Sequence, residues 1–547
     1  MSRPVLYLLL AALAFAWFCN LGERKLIRPD EGRYAEIARE MVVSGDWLTP
    51  RLNGYKYFEK PALQYWATAA SFSIFGLTDW SARLWPALTG FLGIVLVFLA
   101  GNRLFGPRAG LIAAAALAGN FIYVMIGHVL TLDMGVSFFL FASVLAVTLA
   151  QLDDGTPHQR RNWMLAAWGL AALAVLSKGL IGIVLPAGAV VLYVLLQRDW
   201  RLLGRLELAA GGALFLAITA PWFVQVSRAN PEFFHFFFIY EHFERFLTKA
   251  HGRYQPLWYF VPVLLGGLLP WTISLFPALL NGWRGGGTAR FQPARFLLVW
   301  SAVVFAFFSA SSSKLPSYIL PMVPALALLI GRYLAQTGRG VAGVGVAQAL
   351  ASAALGIAAA AWSPNALRFA SVSLPAELLA RYVPWLAGAA IALFAGSVLA
   401  AALWWRGRSA WGAVALGAGG LAFAQLAVTG HGELSPVYSA YHIVERARPN
   451  LKPDAPFYVV DTFDHTLPYY LGRTVTMVGY KDELATSIGW EPDGFLPDVA
   501  AFVRAWQAHG EAFALFAPND FESIRKTAGI PMQVIATDPR RVLVKKP

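Results

Sequence analysis

Charge is scarce in this chain: only 14% of its 547 residues are Asp, Glu, Lys or Arg. Soluble domains carry roughly 25%, so an ordinary globular enzyme is excluded. Cysteine is nearly absent. Cys19 stands alone, which rules out an intrachain disulfide and any cysteine-built metal cluster. No Gly-rich phosphate loop occurs, and no basic run alternates with aromatics in a way that would stack bases. The net charge of +13 therefore reads as loop charge against anionic lipid and not as a nucleic-acid surface. Charge is scarcest inside the long apolar runs. Ion-coupled transporters bury ionisable groups at mid-bilayer, and that signature is missing.

What is present is apolar. Hydrophobic residues make up 57% of the chain, and mean hydropathy is +0.54. Runs near the roughly 20 residues that a bilayer core requires recur at 4–21, 82–102, 109–127, 134–151, 162–177, 179–196, 207–225, 257–278, 296–310, 319–335, 341–361, 384–404 and 410–429. The expected architecture is a mostly α, polytopic membrane bundle of about thirteen transmembrane helices. The first run lacks a small-x-small cleavage pattern and reads as a retained span. Segment 61–78 contains Gln64, Trp66 and several hydroxyls, and is expected to lie in the interface.

Alternate loops are basic. Arg103/Arg108, Arg160/Arg161, Arg198/Arg201/Arg205, Arg284/Arg290/Arg295, Arg332/Arg339 and Arg406/Arg408 mark the cytoplasmic side. Arg24, Lys25 and Arg28 oppose that assignment; the concordant later loops outweigh them. The outward set then holds loops 22–80, 226–256 and 362–383, the turns at 128–133 and 311–318, Lys178, and everything after 430. Two domains are expected: 1–430 in the membrane and 431–547 as a small outward α/β domain. Strands are expected at 456–462, 474–479, 512–517 and 532–536. Helices are expected at 496–508 and 518–528, the second capped by Asn519 or Asp520.

Six outward motifs carry chemistry. Arg28-Pro29-Asp30-Glu31-Gly32-Arg33-Tyr34 places Asp30 in the first turn of a helix. Tyr57-Phe58-Glu59-Lys60-Pro61 offers a cation for a phosphate and a phenol for a sugar. Leu132-Asp133 supplies a second carboxylate. Ser177-Lys178-Gly179 fixes an ammonium between two apolar runs. Tyr240-Glu241-His242-Phe243-Glu244-Arg245 adds a planar fork suited to phosphate. Lys314-Leu315-Pro316-Ser317-Tyr318 completes the set. Each alone also reads as a helix cap, an interfacial anchor or a snorkelling lysine. Together, acids and cations from six separated segments meet at one surface, suited to a lipid-phosphate leaving group and an acceptor.

In this order, RPDEGRYAE, YFEKP, LD, SKG, EHFERF and KLPSYIL resemble the bacterial lipid A aminoarabinose transferases, members of the GT-C superfamily related to protein O-mannosyltransferases. The motifs span roughly 1–330. Gly32 is a departure where relatives are expected to carry Thr or another residue. The resemblance implies transfer of 4-amino-4-deoxy-L-arabinose from undecaprenyl phosphate to a lipid A phosphate at the periplasmic face of the inner membrane, and with it polymyxin resistance. It implies Asp30 and Asp133 as catalytic acids, and Lys60, Lys178 and Arg245 on the donor phosphate. Arg33, Tyr34, Tyr57, Lys314 and Tyr318 would line the sugar site. Zinc or another divalent ion is implied at Glu59 and His242, with no other cofactor. Donor lipid, lipid A and membrane lipids are the expected partners of a monomer, and nucleic acid is not. The alternatives are another polyprenyl-phosphate-sugar transferase, such as a protein O-mannosyltransferase, and a lipid flippase or transporter.

Overall fold

The computed structural model describes residues 3–244, 255–285 and 289–547, with the side chains of 241–244 outside that description. Each expected run coincides with a helix or a bent helix pair, but not every one is a full straight span. Among the described residues eight helices are long and apolar enough to cross a membrane, or ten if each of two bent pairs is one span. The expected thirteen is therefore not reached by that criterion. Arg3–Phe18 and Ile181–Gln197 are apolar but shorter, and Pro157–Lys178 opens on Arg160 and Arg161.

The bent pairs have local causes. Pro107–Ala118 and Phe121–Gly127 meet at 63°, where Asn120 restarts the helix by accepting from the Tyr123 N–H at 3.1 Å. Leu257–Gly267 and Thr272–Arg284 meet at 110° across Pro270, which has no N–H to continue a helix. Elsewhere small residues let helices touch. A Cβ on Gly396 would stand 2.7 Å from the Cα of Gly419, so Ala376–Trp405 and Ser409–Gly430 pack backbone to backbone.

Helix directions separate the two ends of the bundle. Asp133–Ala150 starts at Asp133 and runs to the Asp153–Arg161 loop; Pro157–Lys178 returns to Lys178. The arginine-rich loops and the six motifs therefore lie at opposite ends. The segment expected in the interface forms only Leu63–Phe75. Thirteen residues extend about 20 Å, short of the roughly 30 Å hydrocarbon core.

At the motif end a hairpin of β1 (Arg51–Leu52) and β2 (Tyr55–Lys56) and the helix Asp30–Ser44 meet the C-terminal α/β domain. That domain holds a six-stranded mixed sheet of β3 (Phe457–Val460), β4 (Thr476–Val478), β5 (Phe495–Leu496), β6 (Phe513–Phe516), β7 (Gln533–Asp538) and β8 (Arg541–Lys545). The order is β5-β4-β3-β6-β8-β7. Strand alternation sorts its side chains. Phe457, Val459, Met477, Phe513, Leu515 and Leu543 share one core with Leu26, Ile37, Met41, Tyr65 and Leu132. Tyr458, Val460, Ala514, Phe516 and Val544 pack on the opposite side with Phe502, Trp506 and Phe521.

The four expected strands form, and β5 and β8 are additional. The helix expected from 496 begins only at Val499, because 495–496 pair with β4 and Asp498 caps it through the Ala501 N–H at 2.7 Å. Pro518–Ala528 forms as expected, but neither Asn519 nor Asp520 caps it. Pro518 occupies the first turn and Ala517 the cap, with no side-chain bond.

The Asp30–Ser44 helix is buried despite its polarity, because its charges are paired. Arg39 bonds Glu36 twice at 2.6 Å and donates to Gly472 O at 3.1 Å. Glu40 accepts from the Gly54 N–H at 2.9 Å, and its carboxyl meets that of Glu36. Burial, with the Glu36 carboxylate alongside, pushes the Glu40 carboxyl up to about 8. The folded state thus holds a proton that the unfolded chain releases near 4.5. This contribution to stability is complete below that pH and is lost as pH rises through about 8. Thermal unfolding at pH 6 and pH 9 should show Glu40→Gln losing less stability over that interval than the parent; parallel losses would refute the assignment.

Gly32 has a steric reason. A Cβ there would lie 2.6 Å from both the carbonyl carbon of His465 and the N of Thr466. Only glycine lets the first turn of this helix rest on that backbone. Gly32→Thr should cost about 1–3 kcal/mol by overpacking and loosen the docking of the C-terminal domain. Limited proteolysis checks this: faster release of a C-terminal fragment is expected.

Candidate active site

The motif end encloses a polar cavity of about 590 Å³. Its floor is built from helix ends. Asp30 and Arg33 come from the first turn of Asp30–Ser44, Asp133 from the first turn of Asp133–Ala150, and Lys178 from the last turn of Pro157–Lys178. Tyr34, Glu59, Lys60, Tyr240 and Tyr318 complete the membrane-side wall. All six motifs thus contribute to the cavity, the last through Leu315 and Tyr318 and not through Lys314.

Asp133 and Lys178 form a direct ion pair, and Asp133 Oδ2 accepts from Ser317 Oγ at 2.6 Å. The Lys178 ammonium also lies 4.7 Å from the Tyr318 ring centroid. Asp133 is 8% exposed and committed through both oxygens. Asp30 differs: its side chain is 40% exposed and, among the described residues, its one ion-pair partner is Arg33, at 2.7 Å. Lys60 donates to the Glu59 carbonyl at 2.7 Å.

Two expected sugar-site residues lie elsewhere. Tyr57 is 2% exposed and belongs to the core behind the wall. Lys314 is 4% exposed and donates to Gln255 O at 2.8 Å and Ser311 O at 2.5 Å. It braces the loop before Tyr318 and does not reach the cavity. Arg245 and the His242 side chain lie outside the described residues. Among those that are described, no three His, Cys, Asp or Glu side chains gather as a metal site. Glu59 has Lys60 beside it, with Nζ 4.0 Å from Oε2.

Sequence reading missed two features. First, the C-terminal domain forms the roof, through His465, Asp482, Glu483 and Thr486. His465 Nε2 meets Glu483 at 2.8 Å, and Glu483 takes two Arg33 contacts at 2.9 and 2.7 Å. Burial alone would raise the Glu483 carboxyl. The His465 hydrogen bond and the Arg33 charge outweigh it and hold the group at about 2. A charged chain therefore runs from the roof through Arg33 to Asp30.

The second is the brace beneath. Glu31 and Arg83 are both fully buried. Arg83 donates to Glu31 at 2.7 and 2.8 Å and to the carbonyls of Leu21, Arg24 and Lys25 at 2.9, 2.7 and 3.0 Å. All five guanidinium N–H groups are used. Glu31 also accepts the Leu130 N–H at 3.0 Å, which fixes the turn leading into Asp133. Burial opposes ionisation of Glu31, but Arg83 and Arg24 keep it at about 2. An arginine at the start of an apolar run was the signal available for this pair.

A bundle of membrane-crossing helices with a polar cavity at one end, roofed by a small α/β domain, defines a multi-pass membrane protein. Comparison with known proteins gives the family. Residues 443–546 match the aminoarabinose transferase C-terminal domain, and 59–224 match the dolichyl-phosphate-mannose-protein mannosyltransferase family. The fold matches the crystal structure of ArnT from Cupriavidus metallidurans bound to undecaprenyl phosphate with a TM-score of 0.94. Identity to it is 37%, over 100% of this chain and 99% of that one. The undecaprenyl phosphate-alpha-4-amino-4-deoxy-L-arabinose arabinosyl transferase of Erwinia tasmaniensis is 34% identical over 65% of this chain. The Sodalis glossinidius protein of the same name, numbered 1, is 37% identical over 60%. These alignments span 64% and 58% of those curated relatives. The chain belongs to the aminoarabinose transferase family.

Proposed function

We propose that this protein transfers 4-amino-4-deoxy-L-arabinose from undecaprenyl phosphate to a phosphate of lipid A, at the periplasmic face of a bacterial inner membrane. One observation carries the reading: the cavity gathers two lysines, Lys60 and Lys178, and an accessible carboxylate, Asp30, at one end of the helix bundle. The names of the relatives support the sugar and the donor lipid. The basic loops at the far end support the orientation.

In the reaction, the sugar C1–O bond to the lipid phosphate breaks and a C1–O bond to the acceptor phosphate forms. The departing undecaprenyl phosphate takes the bonding pair. Lys60 and Lys178 stabilise that growing charge. Asp133 holds Lys178 in place and, with both oxygens engaged, does not serve as a base. A phosphate monoester has a second pKa near about 6, so part of the acceptor carries a proton. Asp30 accepts that hydrogen bond, orients the attacking oxygen and takes the proton as the bond forms. Tyr34 and Tyr318 line the space for the sugar, and Arg33 keeps Asp30 fixed. Arg245 is proposed as a further donor-phosphate ligand from its place in the motif.

Mass spectrometry of lipid A from cells with and without the gene tests the activity. Phosphate groups carrying the added aminopentose should disappear on deletion; unchanged lipid A together with a newly unglycosylated protein or glycan would favour another transferase of the class. Lys178→Ala should weaken binding of the donor lipid by about tenfold or more, since a charge-assisted contact contributes roughly 1.5–3 kcal/mol. Unchanged donor affinity would remove Lys178 from the phosphate site.

A further inference from the structure

A second cavity, of about 700 Å³, opens between the β1–β2 hairpin and the C-terminal sheet. That volume lies within the roughly 300–1,000 Å³ of small-molecule sites. No motif pointed to it, and the transfer reaction does not use it. Its wall sets one partly exposed aromatic, Trp490, against polar groups of Arg51, Arg473 and Asp493; Tyr55 and Phe457 lie buried behind it, with the Arg473 guanidinium 5.9 Å over the Phe457 ring.

The polar groups are only partly satisfied. Arg473 donates through one nitrogen to the carbonyls of Pro453 and Ala455, the latter at 2.8 Å, and its other N–H groups have no partner among the described residues. Asp493 is exposed and its carboxylate has no protein partner among the described residues, whereas Arg51 is paired with Glu491 at 2.8 Å. Tyr55 is 3% exposed and its hydroxyl is unpartnered. It sits in the wall behind Gly494, where a Cβ would lie 3.4 Å from the hydroxyl. A buried hydroxyl without a partner calls for an explanation.

The chemistry narrows the ligand. An anion would face Asp493 and Glu491. A purely apolar ligand would leave Arg473 and Asp493 without partners. A sugar fits both halves, because its hydroxyls donate to a carboxylate and accept from a guanidinium while its C–H face lies on an aromatic ring. The two cavities are also neighbours. Phe236 lines the first and Trp490 the second, and their rings meet edge to face at 5.3 Å. The helix Ala485–Trp490 reaches from one to the other, about 9 Å at 1.5 Å per residue.

We propose that the second cavity is a saccharide subsite, which holds the sugars lying beyond the acceptor's reacting phosphate. The proposal rests on the transfer reading above. Bound there, the acceptor's outer sugars register its phosphate against Asp30, so the protein distinguishes a sugar-extended acceptor from a short one.

Calorimetric titration of the full-length protein in detergent micelles tests this without turnover. The probes are de-acylated lipid A alone and de-acylated lipid A bearing its outer sugars. The parent should bind the extended probe about tenfold more tightly. Asp493→Asn should reduce that difference, and Thr474→Trp, a change at an exposed wall position, should erase it without altering affinity for the short probe. Equal affinities in the parent, or an undiminished difference in both variants, would overturn the subsite. If the extended probe is preferred but neither acceptor receives sugar in an enzymatic assay, the subsite stands and the transfer reading fails.

Discussion

Asp30→Asn should lower the rate of sugar transfer by about 10²–10⁴-fold, the range over which a positioned proton acceptor contributes. Asparagine keeps the size of the side chain and an oxygen for Arg33, but cannot take a proton from an acceptor phosphate. Folding should be unaffected, because the Asp30 side chain is 40% exposed and makes one ion pair. Affinity for the donor lipid should also hold, since that is assigned to the lysines. Turnover of a purified variant with defined donor and acceptor, alongside a donor-binding measurement, separates these effects. Activity within a few fold of the parent would remove Asp30 from the chemistry. Equal loss of donor binding would place it in the donor site instead.

The second large effect concerns stability. Arg83→Met should cost about 3–5 kcal/mol, the usual consequence of leaving one member of a buried pair without its partner. Glu31 would then remain buried with its charge largely uncompensated, only Arg24 lying 3.8 Å away among the described residues, and three backbone carbonyls would lose their donor. Adding Glu31→Gln to Arg83→Met should recover part of the loss, because the uncompensated charge is gone. Thermal unfolding of the two single variants and the double variant measures the coupling. A double variant as unstable as the sum of the singles would show that the pair does not act as a unit.

Most of the bundle was legible because the bilayer imposes length on apolar runs. The runs at 134–151, 296–310 and 384–404 each lie mostly within one continuous helix. Length said nothing of direction within a run: the bend across Pro270 lies inside an apolar stretch. The acids and lysines of the floor were legible because a charge at the end of an apolar run stands out. The roof was not. His465 and Glu483 lie in an ordinary polar segment, and only the docking of Gly32 on the His465–Thr466 backbone brings them to Arg33. Lys314 misled for a related reason. Sequence places it at the correct end of the bundle, but the side chain turns back to bind Gln255 O and Ser311 O.

The measurement that tests the central claim most directly uses the purified protein, undecaprenyl phosphate-linked aminoarabinose and lipid A in detergent micelles, with the products analysed by mass spectrometry. The account predicts lipid A carrying one aminopentose on a phosphate, release of undecaprenyl phosphate, and loss of both in Asp30→Asn. Movement of the labelled donor lipid across a reconstituted bilayer with no sugar on lipid A would contradict it.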